Sequence, residues 1–330
     1  MMRSSGKRAC RDVLQALGAA FLLAAAPMSL AAQSGGLFLL APFGSRAVGS
    51  GEAVAADTAL GTEAMWWNPA ALARLNKREL AVHNSATVVA NSNMLAFSVP
   101  SKVLGTLAAS AYLVDYGDQE NTDPQGNILG TITNRNYQLA VSYATPVGKA
   151  FSAGLTYKFV MLRFACTGIC GSVPVLSGST SALDLGAQYV LPTRLPITVG
   201  LSVRNLGPAL QIRDAEQADP LPRVVQGGVR TRLPIKALAD REASLEVSGD
   251  LMSASALGGA AAGLGAVLGY KDVVFLRGGY KMQEGQGRGP SIGFGIQRGA
   301  FGLDIARRFD AFSSSLVGQP PTYVTLRTRF

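Results

Sequence analysis

Phe151-Ser152-Ala153-Gly154-Leu155-Thr156-Tyr157-Lys158-Phe159 decides the fold class. Phe151, Ala153, Leu155, Tyr157 and Phe159 fall on one face of an extended chain; Ser152, Gly154, Thr156 and Lys158 fall on the other. This period of two is the signature of a β-strand with one apolar and one polar or glycine face. The pattern returns in Leu183/Leu185/Ala187/Tyr189, in Ile197/Val199/Leu201/Val203, in Ala243/Leu245/Val247 and in Phe301/Leu303/Ile305. Fourteen such segments can be marked: 79–90, 93–100, 104–115, 131–145, 150–163, 180–191, 195–205, 223–233, 241–251, 262–270, 273–281, 291–298, 300–309 and 321–330. Most approach the roughly 9–11 residues that cross a bilayer as a tilted strand.

A soluble sandwich shares this alternation, so the connections decide between the two. Long ones (116–130, 164–179, 206–222, 282–290, 310–320) take turns with short ones (101–103, 146–149, 192–194, 271–272, 299). That asymmetry is expected of an outer-membrane barrel with long outer loops and short inner turns. A first outer connection near 91–92 is short and an inner one at 234–240 is longish. The expected fold is therefore all-β: a transmembrane antiparallel β-barrel of about 14 strands.

Composition agrees. Of 330 residues 48% are hydrophobic, 15% are charged and 38 are glycine. Disorder requires the opposite balance, and three cysteines are too few for a disulfide-built scaffold. A helical membrane bundle needs repeated apolar runs of about 20 residues. One candidate, Ala254–Gly269, carries five glycines and reads better as a loop leading into a strand. In that strand Leu264, Ala266, Leu268 and Tyr270 face lipid, while Gly263, Gly265 and Gly269 point inward.

The chain begins with Arg3, Lys7, Arg8 and Arg11, an apolar stretch Val13–Leu30, and small Ala31-Ala32. These features predict a signal peptide over 1–32 and export to the outer membrane. The segment holds four basic residues and one acid, so cleavage lowers the net charge from +9 to +6. The remaining excess is assigned to anionic lipid or an inner channel; nucleic acid is not an expected partner of an exported chain. Phe330, the last residue, shares a strand face with Leu326 and Val324. Such a terminal aromatic resembles the signal read by the bacterial barrel-assembly machinery.

Residues 33–78 do not alternate and are expected to form a hatch inside the barrel of 79–330. They hold Gly44-Ser45-Arg46-Ala47-Val48-Gly49-Ser50-Gly51-Glu52-Ala53, then Trp66-Trp67-Asn68-Pro69-Ala70-Ala71-Leu72. Asn68 suits a helix N-cap and Pro69 the first helical position, predicting a short helix over Ala70–Leu75. Gly49 and Gly51 suit tight turns or close approach to a wall. The ordered pair of motifs, G-x-R-A-x-G-x-G-E-A and W-N-P-A-A-L-A, resembles the PorV/PorQ family of outer-membrane proteins. More distantly, it is similar to FadL-type hydrophobic-compound channels. The resemblance covers about residues 40–75. It implies a 14-stranded barrel with an N-terminal hatch and, for PorV-like members, handling of cargo proteins in type IX secretion.

Little catalytic chemistry is visible. His83 is the only histidine and shares one segment with Ser85, with no nucleophile elbow nearby. Gly285-Gln286-Gly287-Arg288-Gly289 lacks the strand-to-helix setting and lysine of a phosphate loop. No metal spacing or cofactor motif appears, and no enzyme is expected. Cys166 and Cys170 fall in one predicted outer loop, where an oxidising compartment favours a local disulfide over two free thiols. The inward face is expected to carry Lys158, Arg204, Arg230, Arg232, Arg277, Lys281 and Arg308, partly balanced by Asp184, Glu246 and Asp304. Solvated or mutually paired lumen charges are one reading; pairing of Glu52, Asp57 and Glu63 with these arginines, to hold the hatch closed, is the other.

Two functions follow. The first is a PorV/PorQ-type barrel that binds exported cargo through its outer rim. The alternative is FadL-like passage of hydrophobic small molecules past the hatch, which the small and charged lumen positions do not favour.

Overall fold

In a computed structural model the described residues are 36–170, 176–211, 218–256, 259–283, 288–310 and 319–330. The expected signal peptide lies outside them, as do parts of four of the expected long outer connections. No helix among the described residues is long and apolar enough to cross a membrane; the spanning elements are strands.

Fourteen antiparallel strands close into one barrel. They are β1 (Glu79–Ala86), β2 (Asn91–Ser101), β3 (Gly105–Thr122), β4 (Ile128–Val147), β5 (Phe151–Gly168), β6 (Leu176–Val190) and β7 (Ile197–Leu206). The second half comprises β8 (Val224–Leu233), β9 (Ala243–Ala254), β10 (Ala260–Tyr270), β11 (Val274–Gln283), β12 (Gly289–Arg298), β13 (Phe301–Arg308) and β14 (Thr322–Arg329). The seam is β1 on β14, in register from Glu79–Arg329 to Ala86–Thr322. Closure leaves no unpaired edge, which is what a sheet in lipid requires.

The alternation points as expected. Leu80, Val82, Leu139, Val141, Tyr157, Phe159, Leu264, Leu268, Phe294 and Leu326 are exposed on the outside, forming the apolar belt. Their neighbours Ala81, His83, Ala140, Ser142, Lys158, Gly263 and Arg327 face the interior. Phe330 lies 60% exposed at the edge of that belt, its ring 6.4 Å from that of Phe97.

Two expectations about the outer connections are corrected. Positions 116–130 and 164–179 are not simply loops: β3 runs on to Thr122, β4 starts at Ile128 and β5 runs on to Gly168. The upper part of β3 carries polar side chains on both faces (Asp118, Gln119, Glu120, Asn121), whereas the upper parts of β4 and β5 mix Ile128, Leu129, Ile132, Phe164 and Ala165 with Thr131, Thr133 and Thr167. Beyond the membrane no lipid face exists to impose alternation, so these strand ends read as loop. Cys166 accordingly sits on the end of β5, not in a loop, and is disulfide-bonded to Cys170 across a Cα separation of 6.0 Å. The first outer connection is 87–90, shifted from 91–92, and is tied by the Thr87–Ala90 hydrogen bonds.

Inside the barrel lie the short helical pieces of the N-terminal segment: Leu37–Leu40, Ser45–Gly49, Gly61–Glu63, Ala64–Trp67 and Pro69–Arg74. Most residues from Phe43 to Leu72 are buried. The predicted helix after Asn68 is present as a 3₁₀ helix beginning at Pro69: Asn68 Oδ1 accepts the Ala70 N–H at 3.1 Å.

Candidate functional site

The lumen is two-sided. From β2 to β6 the inner wall is mixed: Met94, Tyr112, Val114, Val160 and Ala182 join an apolar cluster with the hatch, while Ser110, Asn136, Gln138, Thr156, Lys158 and Asp184 are buried on the same strands. Phe43, Trp66 and Tyr112 form an aromatic cluster there, with centroids 5.1–5.5 Å apart. Burying such rings supplies much of the apolar driving force for docking the hatch. Small and charged residues are expected of the lumen, and Ala108, Ala140, Ser142, Lys158 and Asp184 fit on these strands too; the apolar cluster among them was not expected. The aromatic side chains of that cluster come mainly from the hatch, which is why alternation within the strands does not reveal it.

From β7 round to β14 the wall is charged, and each hatch acid meets a cation. Glu52 pairs with Lys281 and, at 3.0 Å, with Arg308. Asp57 meets Arg230 at 2.6 Å, and Glu63 meets Arg327 at 3.2 Å. In return hatch Arg46 reaches Asp304 at 3.1 Å, where Arg277 and Arg327 also converge at 2.8 and 3.0 Å. Burial alone would raise the Glu52 carboxyl, but the charges of Lys281 and Arg308 outweigh it and hold it below the usual range. Burial pushes the Glu63 carboxyl up, against the pull of Arg327 and Arg46. Arg327 was not among the residues singled out, and neither was Asp250. The Asp250 carboxylate accepts the backbone N–H groups of Val54 (2.8 Å) and Ala55 (2.7 Å), a cap for the hatch loop.

Wall glycines let the hatch backbone lie directly on the sheet. A Cβ on Gly263 would stand 2.5 Å from the Gly51 carbonyl oxygen, and one on Gly265 2.5 Å from that of Ser50. Gly154 is in the same relation to Pro69, and Gly49 meets Gly293. Gly51 has φ +63°, and Gly44, at φ +78°, lies so close to the Glu63 side chain that no Cβ would fit.

The remaining expected residues fall as follows. Lys158 pairs with Asp184 at 2.8 Å and also contacts Asn205, within the wall and away from the hatch acids. Arg204 lies over Trp67 at 5.0 Å and donates to the Trp66 carbonyl at 3.1 Å. Trp67 Nε1 donates to the Phe43 carbonyl at 2.9 Å. Arg232 pairs with Glu246 at 2.7 Å and is the most exposed of the expected lumen charges, at the inner mouth. His83 Nδ1 bonds Thr325 Oγ1 at 2.9 Å while Ser85 bonds Ser92, so the two do not form a dyad. No group of side chains suited to a metal ion occurs among the described residues.

Two cavities flank the hatch. The outer one, about 180 Å³, is lined by Leu40, Pro42, Trp67 and Met252 together with Glu52, Arg204, Lys281, Gln283 and Arg308. Its wall residues come from the ends of β7, β9, β11 and β13 nearest the long connections. The inner one, about 330 Å³, opens among Arg46, Arg74, Arg230, Arg277 and Glu246 at the short-turn end. Between them stands the hatch loop around Glu52.

No protein-family model matches the chain. No curated protein matches it either. Solved structures do match. A Pseudomonas aeruginosa FadL homologue aligns with a TM-score of 0.54 at 12% identity over 88% of this chain and 98% of its own. The Ralstonia pickettii toluene transporter TbuX gives 0.54 at 12% over 89% and 100%. The CymD monoaromatic hydrocarbon channel gives 0.58 at 15% over 87% and 97%. This chain thus shares the fold of FadL-type outer-membrane barrels, here fourteen antiparallel strands closed into one barrel with short helical turns at the N-terminus.

Proposed function

We propose that this chain is a bacterial outer-membrane channel for hydrophobic small molecules, with no enzymatic role, closed at rest by its N-terminal hatch. The observation that carries this reading is the outer cavity. It combines an apolar wall (Leu40, Pro42, Trp67, Met252) with a cationic end (Arg204, Lys281, Arg308) facing the single carboxylate of Glu52. Such a site suits a molecule with an apolar body and an anionic head. The neighbours' descriptions as toluene transporter and monoaromatic hydrocarbon channel support the hydrophobic small-molecule part of this reading; the anionic head is read from the cavity alone. In this reading residues 1–32 are a cleaved signal peptide and Phe330 serves recognition by the assembly machinery.

Trp66 and Trp67 are the only tryptophans, so binding is readable by fluorescence. With the full chain in nanodiscs, decanoate should change the emission saturably, decanol more weakly, and acetate not at all. Arg204→Met should weaken decanoate binding about tenfold or more, the worth of a charge-assisted hydrogen bond. No saturable response to decanoate, or an equal response to acetate, would contradict the proposal.

A second reading, PorV/PorQ-type binding of secreted cargo, is favoured by one observation: β3, β4 and β5 continue past the apolar belt as a three-stranded extension of mixed polarity, with the Cys166–Cys170 bond on it. Cross-linking from that extension in intact cells would recover an exported protein if this reading holds.

A further inference from the structure

The short-turn end of the barrel carries a ring of exposed cations. Lys77 stands where the hatch joins β1, Lys102 between β2 and β3, and Lys149 between β4 and β5. Arg194 follows between β6 and β7, Lys271 between β10 and β11, and Arg298 at the end of β12. The β8–β9 connection adds two more basic residues, so every inner connection has at least one within or beside it. All six named side chains are on exposed residues, and none makes an ion pair among the described residues. Exposed acids on this rim are Asp240, Glu242 and Asp272. The opposite rim differs: its described connections hold two cations, Arg223 and Arg288, against Asp123, Asp219 and Asp310.

These cations stand beside exposed apolar side chains. Val103 and Leu104, next to Lys102, are 89% and 70% exposed, and Phe301, three residues past Arg298, is 74% exposed. Val147, Leu195 and Tyr270 are exposed beside Lys149, Arg194 and Lys271. Apolar anchors with adjacent cations match the boundary between hydrocarbon and headgroups, where basic side chains attract anionic lipid. The ring also follows the whole circumference. A docked protein would cover one sector of it; a lipid leaflet surrounds all of it.

We propose that this rim binds the phosphate headgroups of anionic phospholipids in the leaflet at the short-turn end, a lipid collar that fixes the barrel's depth. It is independent of what passes through the lumen.

The test uses the full chain reconstituted into vesicles of phosphatidylcholine with a minor share of phosphatidylglycerol, extracted gently, with retained lipid measured by native mass spectrometry. Phosphatidylglycerol should be enriched over its bulk share by about fivefold or more, the effect of even one well-placed basic residue. Replacing Lys77, Lys102, Lys149, Arg194, Lys271 and Arg298 by glutamine should bring retention close to the bulk ratio. Arg223→Gln with Arg288→Gln on the opposite rim should leave it unchanged. If the sixfold variant does not fold, Lys102→Gln with Lys149→Gln should give a partial loss. Retention at the bulk ratio in the unaltered protein overturns the proposal. So does enrichment that survives the inner substitutions or vanishes with the outer pair.

Discussion

Glu52→Gln is the sharpest perturbation of the hatch. Glu52 sits in the left-handed region at φ 61°, directly after Gly51, so its side chain points from a tight turn into the charged wall. There it bridges Lys281 and Arg308, while its backbone carbonyl accepts from Gln226 Nε2 at 2.9 Å. Glutamine keeps the volume and one acceptor but removes the charge. Arg308 retains Asp310 at 3.1 Å, whereas Lys281 loses its ion-pair partner. Removing one member of a buried pair costs about 3–5 kcal/mol; with one cation still paired, about 3 kcal/mol is expected. That raises the population of undocked hatch roughly a hundredfold. Hydrogen exchange of residues 45–56 should accelerate accordingly, and single-channel openings should become frequent. Heat-modifiable migration of the barrel should not change. The same node sets an acid limit. A carboxyl held below its usual range contributes stability that is fully present above its unfolded value of 4.5 and lost as pH falls through the folded value. Hatch docking should weaken below about pH 4.5 in the unaltered protein and lose this component of its pH dependence in Glu52→Gln. Exchange rates at 45–56 unaltered by the substitution would refute the latch.

Gly263→Ala should destabilise the docked hatch by about 1–3 kcal/mol through overpacking, since its Cβ would meet the Gly51 carbonyl; Gly278→Ala, with open space around it, should be neutral, and paired exchange measurements compare them. Asn68→Ala should cost roughly 0.5–2 kcal/mol through the lost cap of the Pro69 helix, seen as faster proteolysis around Trp66 from the short-turn side with the barrel intact. Cys166→Ser should leave Cys170 open to a membrane-impermeant thiol reagent on whole cells; labelling only after permeabilisation would invert the assigned topology.

The strands were legible because lipid on one side and polar or glycine residues on the other force a period of two, as in Phe151–Phe159. Where that constraint ends the signal ends, so the tops of β3 and β5 read as loop and Cys166 was placed there. Asn68-Pro69 was legible because a cap is a local interaction. The ion pairs were legible only in kind: acids at 52, 57 and 63 suggested cationic partners, yet Glu63–Arg327 joins residues 264 apart in the chain. Such a partner depends on the register of β14 and on where the hatch lies, and neither is encoded within one segment. Inward glycines were visible as a pattern, but their use as a bed for the hatch backbone emerges only when both surfaces are in place.

Uptake in intact cells tests the central claim most directly, because an undisturbed outer membrane slows hydrophobic anions and the barrel would supply their route. In cells lacking other such barrels, expression of this chain should raise the initial rate of labelled decanoate uptake, and Arg204→Met should reduce it. A rate equal to that of cells without the barrel, in the presence of correctly assembled protein, would contradict a channel closed by a movable hatch.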